Sequence, residues 1–279
     1  MSTEVAPELA FGRFLKFWRG VHSLSQEDLA EKLDSSPRHI SRLENGSGRA
    51  SEALVLDIAR VLDLGKRDLN HLLISAGYAA QEEKVDFHSP ELKWLRKSMM
   101  YTLKALDPYP TTIMDGSTNI LMVNRAWVAF FQHRIPKAML DKVDNHYDFL
   151  FSHEGAGKDV SQWEDTLSVI LMSLQQKALF SNSAVDQAMH DRLTKLPVVP
   201  SDWKQRASKI EPMASFRVQT EINGALHKFF SVSSTVGAIG PAAYVSEPQL
   251  TISTLYPEDE SMDLSSLIQP DLSHPLLFY

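Results

Sequence analysis

The stretch LSQEDLAEKLDSSPRHISRLENG, residues 24–46, has the pattern of two short helices joined by a tight turn. Ser25 is suited to cap the first helix, and Asp28 is placed to return a carboxylate to the N–H of that cap. Pro37 can begin the second helix, because the N–H that proline lacks would have no helical partner there. Gly46 can end it. A short helix set across another is the shape that enters the major groove of DNA.

The second helix of this stretch separates an apolar face from a polar one. Ile40 and Leu43 form the apolar stripe, which indicates packing against a core. The outward positions carry hydrogen-bond donors at a density that a merely solvated helical hairpin would not need. The predicted DNA-binding residues are Gln26, Ser36, Pro37, Arg38, His39, Ser41, Arg42 and Asn45.

This stretch closely resembles the XRE (phage-repressor-like) helix-turn-helix family, and the run SPRHISRLENGSGRAS, residues 36–51, is similar to its MmyB-like branch. The resemblance implies a sequence-specific transcription regulator with an all-α, five-helix, lambda-repressor-like DNA-binding domain. It also implies roles for individual side chains. Phosphates are contacted by Gln26 and Asn45, and bases by Arg38, Ser41 and Arg42.

Two positions depart from the family pattern. Asp34 stands where the family usually has glycine in the turn, which predicts a more strained turn that is less attractive to phosphate. Pro37 occupies the first position of the second helix, where relatives outside this branch often place a polar residue that reads a base. The specificity of DNA recognition is therefore expected to depend on Arg38 and Arg42.

Length and composition indicate a protein of two globular domains. The chain has 279 residues, of which 43% are hydrophobic and 23% charged, so both domains can bury a core. It contains no cysteine, which excludes disulfides and thiolate metal sites. Neither a secretory signal nor an apolar run of about 20 residues is visible. We therefore expect a cytoplasmic protein without a membrane partner.

The net charge of −7 is unevenly distributed along the chain. Residues 81–279 contain 18 Lys and Arg against 24 Asp and Glu, whereas residues 11–50 contain 7 against 5. The helix-turn-helix region thus carries a mild positive excess. Because phosphate affinity depends on local positive charge, this excess predicts modest affinity of a monomer for double-stranded DNA. We therefore expect a homodimer.

After residue 110 the sequence pattern changes from helices towards strands. The segment TTIMDGSTNILMV, residues 111–123, is typical of two strands around an Asp115–Gly116 turn. Further on, SFRVQTEI and LHKFFSVSSTV flank an Asn223–Gly224 turn, and QLTISTLYP supplies a last strand. The pattern predicts an α+β domain, in which helices pack on one side of a five-stranded antiparallel sheet.

This order of strands and helices resembles a PAS fold and the C-terminal ligand-binding domain of the MmyB-like regulators. The likeness lies in PTTIMDGSTNILMVNRAW, residues 110–127, and FFSVSSTVGAIGPAAYVSEPQLTISTLYPEDE, residues 229–260. The predicted domains are a helix-turn-helix DNA-binding domain at 1–80, a linker at 81–88, a PAS-like ligand-binding domain at 89–262 and a C-terminal tail at 263–279.

Aromatic and long apolar residues are frequent between residues 109 and 230. Plain core packing accounts for most of them, but a sheet covered by helices commonly leaves an apolar cavity. The resemblance implies a small hydrophobic effector such as a fatty acid, and we expect no other cofactor. The predicted lining is Ile113, Leu121, Val123, Trp127, Phe131, Phe149, Trp163, Leu167, Ile170, Phe216 and Val232.

Two alternatives to the effector domain stay open. In the first, the C-terminal domain is a dimerisation or protein-interaction module with a filled core and no ligand. In the second, it is a small hydrolase or isomerase joined to a DNA-binding domain. The sequence shows no nucleophile elbow, no phosphate loop with the required spacing and no convincing metal-ligand cluster. We therefore predict neither an enzyme nor a metal site.

Overall fold

The computed structural model describes residues 7–81, 86–160, 162–181, 184–210, 217–222, 225–236 and 249–279. Within these ranges the chain divides into two units, one before and one after the segment at 82–85. No helix in the described ranges combines the length and the apolar composition that a membrane span requires.

The first unit is the predicted bundle of five helices. They are α1 (Pro7–Val21), α2 (Gln26–Lys32), α3 (Pro37–Glu44), α4 (Glu52–Val61) and α5 (Lys66–Ser75). All five contribute side chains to one apolar core, because each helix repeats an apolar residue at every turn. The fully buried members include Phe11, Leu15, Leu29, Ile40, Leu43, Val55, Ile58, Leu62, Leu72 and Leu73.

Local hydrogen bonds define where the helices begin. The Ser25 hydroxyl accepts from the N–H of Asp28 at 3.0 Å, and the Asp28 carboxylate accepts from the N–H of Ser25 at 2.7 Å. This is the predicted capping box. Ser36 caps α3, whose first residue is Pro37, and Ser51 caps α4, each by accepting a backbone N–H bond.

The helices of this unit also end in one common way. Each of α1 to α5 is followed by a residue with positive φ, and the next residue donates its N–H to a carbonyl in the last helical turn. After α2 this residue is Asp34, with φ of +47°, and Ser35 donates to Ala30 at 2.9 Å. The aspartate therefore adopts the left-handed conformation that glycine adopts more easily, at a cost of about 1 kcal/mol.

A glycine allows α1 and α3 to approach closely. A Cβ atom at Gly12 would lie 2.4 Å from the carbonyl oxygen of Glu44 and 2.5 Å from that of Leu43. Both neighbours are backbone atoms, which cannot rotate away. Gly20 lies on the same helix, and nothing lies within 4 Å of its corresponding position. The packing of α1 against α3 therefore requires glycine at residue 12.

We expect Gly12→Ala to lower the free energy of unfolding by about 1–3 kcal/mol, because the new methyl group must push the two helices apart. Gly20→Ala is the matched control on α1, and we expect it to raise stability by up to about 1 kcal/mol. Urea unfolding monitored by circular dichroism measures both. Equal effects of the two substitutions would contradict the close approach.

The second unit contains the predicted five-stranded antiparallel sheet, with strand order β2-β1-β5-β4-β3. The strands are β1 (Thr111–Met114), β2 (Ile120–Val123), β3 (Arg217–Ile222), β4 (Ala225–Val236) and β5 (Leu250–Pro257). The turn after β1 is stabilised by Asp115, whose carboxylate accepts the N–H groups of Ser117 and Asn119. The predicted Asn223–Gly224 turn lies outside the described residues.

Helices pack on both faces of this sheet. The helices of this unit are α6 (Lys93–Leu106), α7 (Arg125–Gln132), α8 (Lys137–Leu140), α9 (His146–Leu150), α10 (Trp163–Ser181), α11 (Ala184–Thr194) and α12 (Trp203–Ala207). On one face, the α7 face, Val123 and Phe229 pack with α7. On the other, the α6 face, Ile113 and Ile252 pack with α6. The expectation that all helices lie on one side of the sheet was wrong, because β1 and β2 carry apolar residues on both faces.

A buried asparagine links the sheet to α7. The side-chain oxygen of Asn124 accepts the N–H of Thr111 at 2.9 Å and the N–H of Trp127 at 3.0 Å. Its amide nitrogen donates to the carbonyl of Tyr109 at 2.8 Å. One fully buried side chain thus joins the start of β1 to the first turn of α7 and positions Trp127 against the sheet.

The segment that we predicted to be a C-terminal tail is part of the second unit. Leu264 and Leu267 are buried in the core on the α7 face. The N–H of Val123 donates to the carbonyl of Leu276 at 2.9 Å. Residues 263–279 therefore complete the domain, because an apolar segment without its own core packs against the nearest one.

The predicted linker is also shorter than 81–88. The backbone of Gln81 forms two hydrogen bonds with the side chain of Asn70, at 2.8 and 3.1 Å, and so belongs to the first unit. Phe87 is buried in the core on the α6 face and belongs to the second.

Candidate functional site

The face of α3 that points away from the core presents two arginines to solvent. Arg38 and Arg42 are exposed and lie one helical turn apart, with half-buried His39 and Ser41 between them. Pro37 is exposed at the start of the helix. A helix face of this shape, with these hydrogen-bond donors, can contact the edges of bases in a major groove.

The carboxylate of Glu44 holds α3 in place. Arg19 on α1 donates to both of its oxygens, at 2.6 and 3.0 Å, and the side-chain amide of Gln26 on α2 donates to one of them at 2.8 Å. A further guanidinium nitrogen of Arg19 donates to the carbonyl of Leu24 at 2.7 Å. Three helices are therefore joined at one carboxylate.

The ionisation of this carboxylate is stabilised in the fold. Burial disfavours the charged form, but the hydrogen bonds from Arg19 and Gln26 outweigh it and lower the pKa of Glu44. The side chains of Arg19 and Glu44 are only 15% and 5% exposed, so water screens the pair weakly. The sequence analysis missed this pair because its partners are 25 residues apart and no local pattern relates them.

Other predicted contact residues have structural partners of their own. The amide of Gln26 keeps one N–H for a phosphate after its bond to Glu44. The Ser36 hydroxyl accepts the N–H of His39 as a helix cap. The side-chain oxygen of Asn45 accepts the N–H of Ser47 at 3.0 Å and shapes the turn after α3. These three side chains therefore also stabilise the motif that presents the arginines.

A cavity of about 80 Å³ lies on the α7 face of the sheet. Three of the predicted lining residues meet there, with ring centroids of Trp127 and Phe131 5.1 Å apart and those of Phe131 and Phe149 5.0 Å apart. The lining also contains His146, Leu150, Ala156, Val160, Val218, Leu255, Pro110, Thr112, Ser231, Ser233 and Ser253. The cavity is thus aromatic on the helix side and hydroxyl-rich on the sheet side.

The hydroxyl groups form a row across three strands. Thr112 of β1 stands opposite Ser253 of β5, which stands opposite Ser233 of β4. Directly opposed residues of an antiparallel sheet point to the same face. The sequence analysis missed this row because serine and threonine carry no apolar signal, although alternation from buried Phe229 would have placed Ser231 and Ser233 on its face.

The other predicted lining residues lie elsewhere. Ile113, Leu121 and Val232 do not line the cavity: the first two pack in the core on the α6 face, and Val232 shares that face and is 39% exposed. Ile113 and Val232 lie next to cavity residues of their own strands, so side-chain alternation turns them to the other face. Leu121 lies at the register shift between β1 and β2, where regular alternation is interrupted. Val123 is on the α7 face but is covered by core side chains.

Helical residues predicted to line the cavity form a core of their own. Leu167 and Ile170 of α10 pack with Trp203 of α12, and Trp163 packs at the edge of this core. The indole N–H of Trp163 donates to the carbonyl of Leu150 at 2.9 Å. Phe216 lies outside the described residues.

Two histidines near the cavity are kept neutral by burial. Burial lowers the pKa of His146, a lining residue at the start of α9, to about 4. Burial also lowers the pKa of His274, whose ring contacts Trp127 edge-on at 5.4 Å between centroids. One ring nitrogen of His274 accepts the N–H of Leu276, so the other carries the proton and donates to the carbonyl of Leu140 at 3.0 Å.

Comparison with known families agrees with this geometry. A helix-turn-helix family matches residues 16–69, and the family described as MmyB-like transcription regulator ligand binding domain matches residues 95–264. The fold and the two sites thus define a DNA-binding transcription regulator with a C-terminal ligand-binding domain. The chain belongs to the MmyB-like transcription regulators, since the second match covers more than half of it. Comparison with curated proteins finds no match.

We expect the stability of the second unit to fall as the pH decreases from about 6.5 to about 4. The unfolded chain binds a proton at His146 with a pKa near 6.5, whereas the folded chain does so only near pH 4. The free energy of unfolding is therefore expected to be about 2 kcal/mol lower at pH 5 than at pH 7. Urea unfolding monitored by tryptophan fluorescence at both pH values measures it.

His146→Asn separates this histidine from all other titrating groups. We expect the variant to lose less stability than the parent between pH 7 and pH 5. An identical loss in both proteins would show that His146 is not responsible.

Proposed function

We propose that this regulator acts in the cytoplasm as a homodimer on double-stranded DNA, and that a hydrophobic molecule in the cavity controls its DNA affinity. The observation that supports specific DNA binding best is the exposed arginine face of α3, held on α1 and α2 by the Glu44 carboxylate. The mild positive excess of the helix-turn-helix region supports a dimer, because two such domains double the number of phosphate contacts.

In this proposal Arg38, Ser41 and Arg42 contact base edges, and Gln26 and Asn45 contact phosphates. An arginine reads guanine best, because its two parallel donors match the O6 and N7 acceptors in the major groove. Pro37 has no N–H and no polar side chain, so the first helical position supplies no base contact. Two arginines one turn apart then favour an operator with closely spaced guanines in each half-site.

We expect Arg42→Ala to weaken binding to a cognate operator by roughly 1–3 kcal/mol and to relax the base preference at one position. Selection of binding sites from random DNA, followed by gel-shift titration, measures both effects. Arg60→Ala is the control, since Arg60 is exposed on α4 and pairs only with Asp57 at 2.7 Å among the described contacts. An equal loss on cognate and random DNA would mean that Arg42 contacts a phosphate only.

The cavity supports a hydrophobic effector of a particular kind. Trp127, Phe131 and Phe149 offer apolar surface, whereas Thr112 and Ser253 offer hydroxyl groups. Among the described lining residues there is no lysine or arginine, and burial keeps His146 neutral. Transfer of a carboxylate into such surroundings is costly. The lining therefore favours an apolar tail with an uncharged head, such as a protonated fatty acid, an ester or an alcohol.

The volume of the cavity suggests how binding reaches the rest of the domain. About 80 Å³ is well below the roughly 300 Å³ at which small-molecule sites begin. A long apolar tail therefore fits only if the aromatic helix side of the cavity moves away from the sheet side. Such a ligand binds the expanded and the compact domain unequally, which is the condition for changing DNA affinity.

We expect lauric acid and lauryl alcohol to raise the melting temperature of the full chain, the alcohol at least as much as the acid at pH 7. Ala156→Leu fills the cavity and should abolish both shifts, whereas Ala184→Leu, an exposed site on α11, should not. Gel-shift titration with and without saturating lauryl alcohol then measures how far the bound alcohol changes the affinity for DNA.

Native and denaturing mass spectrometry of the purified protein complements this test. A stoichiometric apolar molecule that is released on unfolding would support the effector proposal. If the domain carries no such molecule, shows no change in melting temperature with either compound and still dimerises, it is instead a dimerisation module with a filled core.

A further inference from the structure

A second hollow, the aromatic groove, lies where β4 and β5 lead into residues 257–268. Its volume is about 460 Å³, and its walls include the side chains of Tyr109, Phe230, Tyr256 and Ile268. Phe230 precedes cavity residue Ser231 and Tyr256 follows cavity residue Leu255, so both side chains point to the other face of the sheet. No described residue lines both hollows. The groove is therefore separate from the effector cavity.

Three aromatic rings lie together in this groove. The ring centroids of Tyr109 and Tyr256 are 4.9 Å apart, and those of Phe230 and Tyr256 are 5.9 Å apart. The rings are inclined to one another by 53° and 37°, so they do not stack flat and bury each other's faces. The partly exposed Ile268, at 46%, extends the apolar wall. Such a cluster keeps apolar and π surface open to an occupant.

The charged residues that line the groove are both acidic. Glu260 and Asp263 line the groove, and among its described lining residues there is no lysine, arginine or histidine. The backbone N–H of Ser265 donates to the Asp263 carboxylate at 2.8 Å and lowers its pKa, so this group stays ionised near neutral pH. Arg217 stands opposite Phe230 on β3, but it pairs with Glu258 at 3.4 Å, and neither residue lines the groove. An occupant therefore meets negative charge beside aromatic surface.

This combination selects a cation with an apolar surface. Aromatic rings attract a cation through their quadrupole, and the attraction is largest for ions that lose little hydration. A compact ammonium ion is strongly hydrated, whereas a quaternary ammonium group presents methyl groups to the rings. The volume of the groove lies within the range of small-molecule sites.

We propose that the aromatic groove binds a small organic cation, a quaternary ammonium compound whose head lies among Tyr109, Phe230 and Tyr256, with Glu260 and Asp263 as counter-charges. The site is independent of the effector cavity and of DNA binding. It would give the C-terminal domain a second ligand of different chemistry.

Isothermal titration calorimetry of the full chain with choline tests the proposal. The comparison probes are 3,3-dimethylbutanol, which is the uncharged isostere of choline, and ammonium chloride. We expect choline to bind one site per chain at least tenfold more tightly than either probe, and more weakly as the salt concentration rises. Equal binding of choline and the isostere would overturn the proposal. So would the absence of choline binding up to about 10 mM, a concentration at which even a weak site would be occupied. Binding of an arginine-rich peptide without binding of choline would overturn it as well, in favour of a protein partner.

Matched variants locate the site. Tyr256→Leu should reduce choline affinity at least tenfold, whereas Tyr101→Leu, at a tyrosine that is 56% exposed on α6, should not change it. Glu260→Gln changes an exposed side chain and should weaken binding several-fold, whereas Glu258→Gln should have a smaller effect. Unchanged choline affinity in both Tyr256→Leu and Glu260→Gln would place the cation elsewhere and refute the assignment. Because Glu260 is exposed, Glu260→Gln should fold and can test the site even if Tyr256→Leu does not fold.

Discussion

The bonds that converge on the Glu44 carboxylate determine what the DNA-binding domain can do. Glu44 ends α3, and its two oxygens receive Arg19 from α1 and Gln26 from α2. A buried charge of this kind is stable only while all its partners are present. The orientation of α3, and with it the direction in which Arg38 and Arg42 point, therefore depends on these bonds between helices. Gly12 adds to this constraint by letting the backbones of α1 and α3 meet.

Asn124 has a comparable role in the ligand-binding domain. Its amide joins the start of β1 to the first turn of α7, and that turn carries Trp127 into the cavity. The sheet side of the same cavity is a row of hydroxyl groups, and the helix side is aromatic. One buried hydrogen-bonding residue thus helps to set the distance between two chemically different walls of the cavity.

Much of the fold could be predicted, and the failures have a common cause. The caps at Ser25, Ser36 and Ser51 are bonds between residues three apart, so the sequence contains all the information. The cavity lining, in contrast, does not follow from contacts between residues that are close in the sequence. Ile113 and Val232 are apolar strand residues, but whether such a residue meets the cavity depends on which face of the sheet it takes. Because α6 covers the second face, β1 carries an apolar residue on each face, and hydrophobicity alone could not distinguish the two faces.

By itself, the sequence determined where helices begin and end, the five antiparallel strands and the residues that α3 presents, since these follow from hydrogen bonds and periodicities that span a few residues. Only the tertiary structure decided which groups come together over long separations. Arg19 meets Glu44 across 25 residues, Thr112 lines up with Ser253 and Ser233 from three strands, and Tyr109 approaches Tyr256 beside Asp263. These long-range contacts depend on strand order, side-chain alternation and the close approach of helices, which no local sequence pattern encodes.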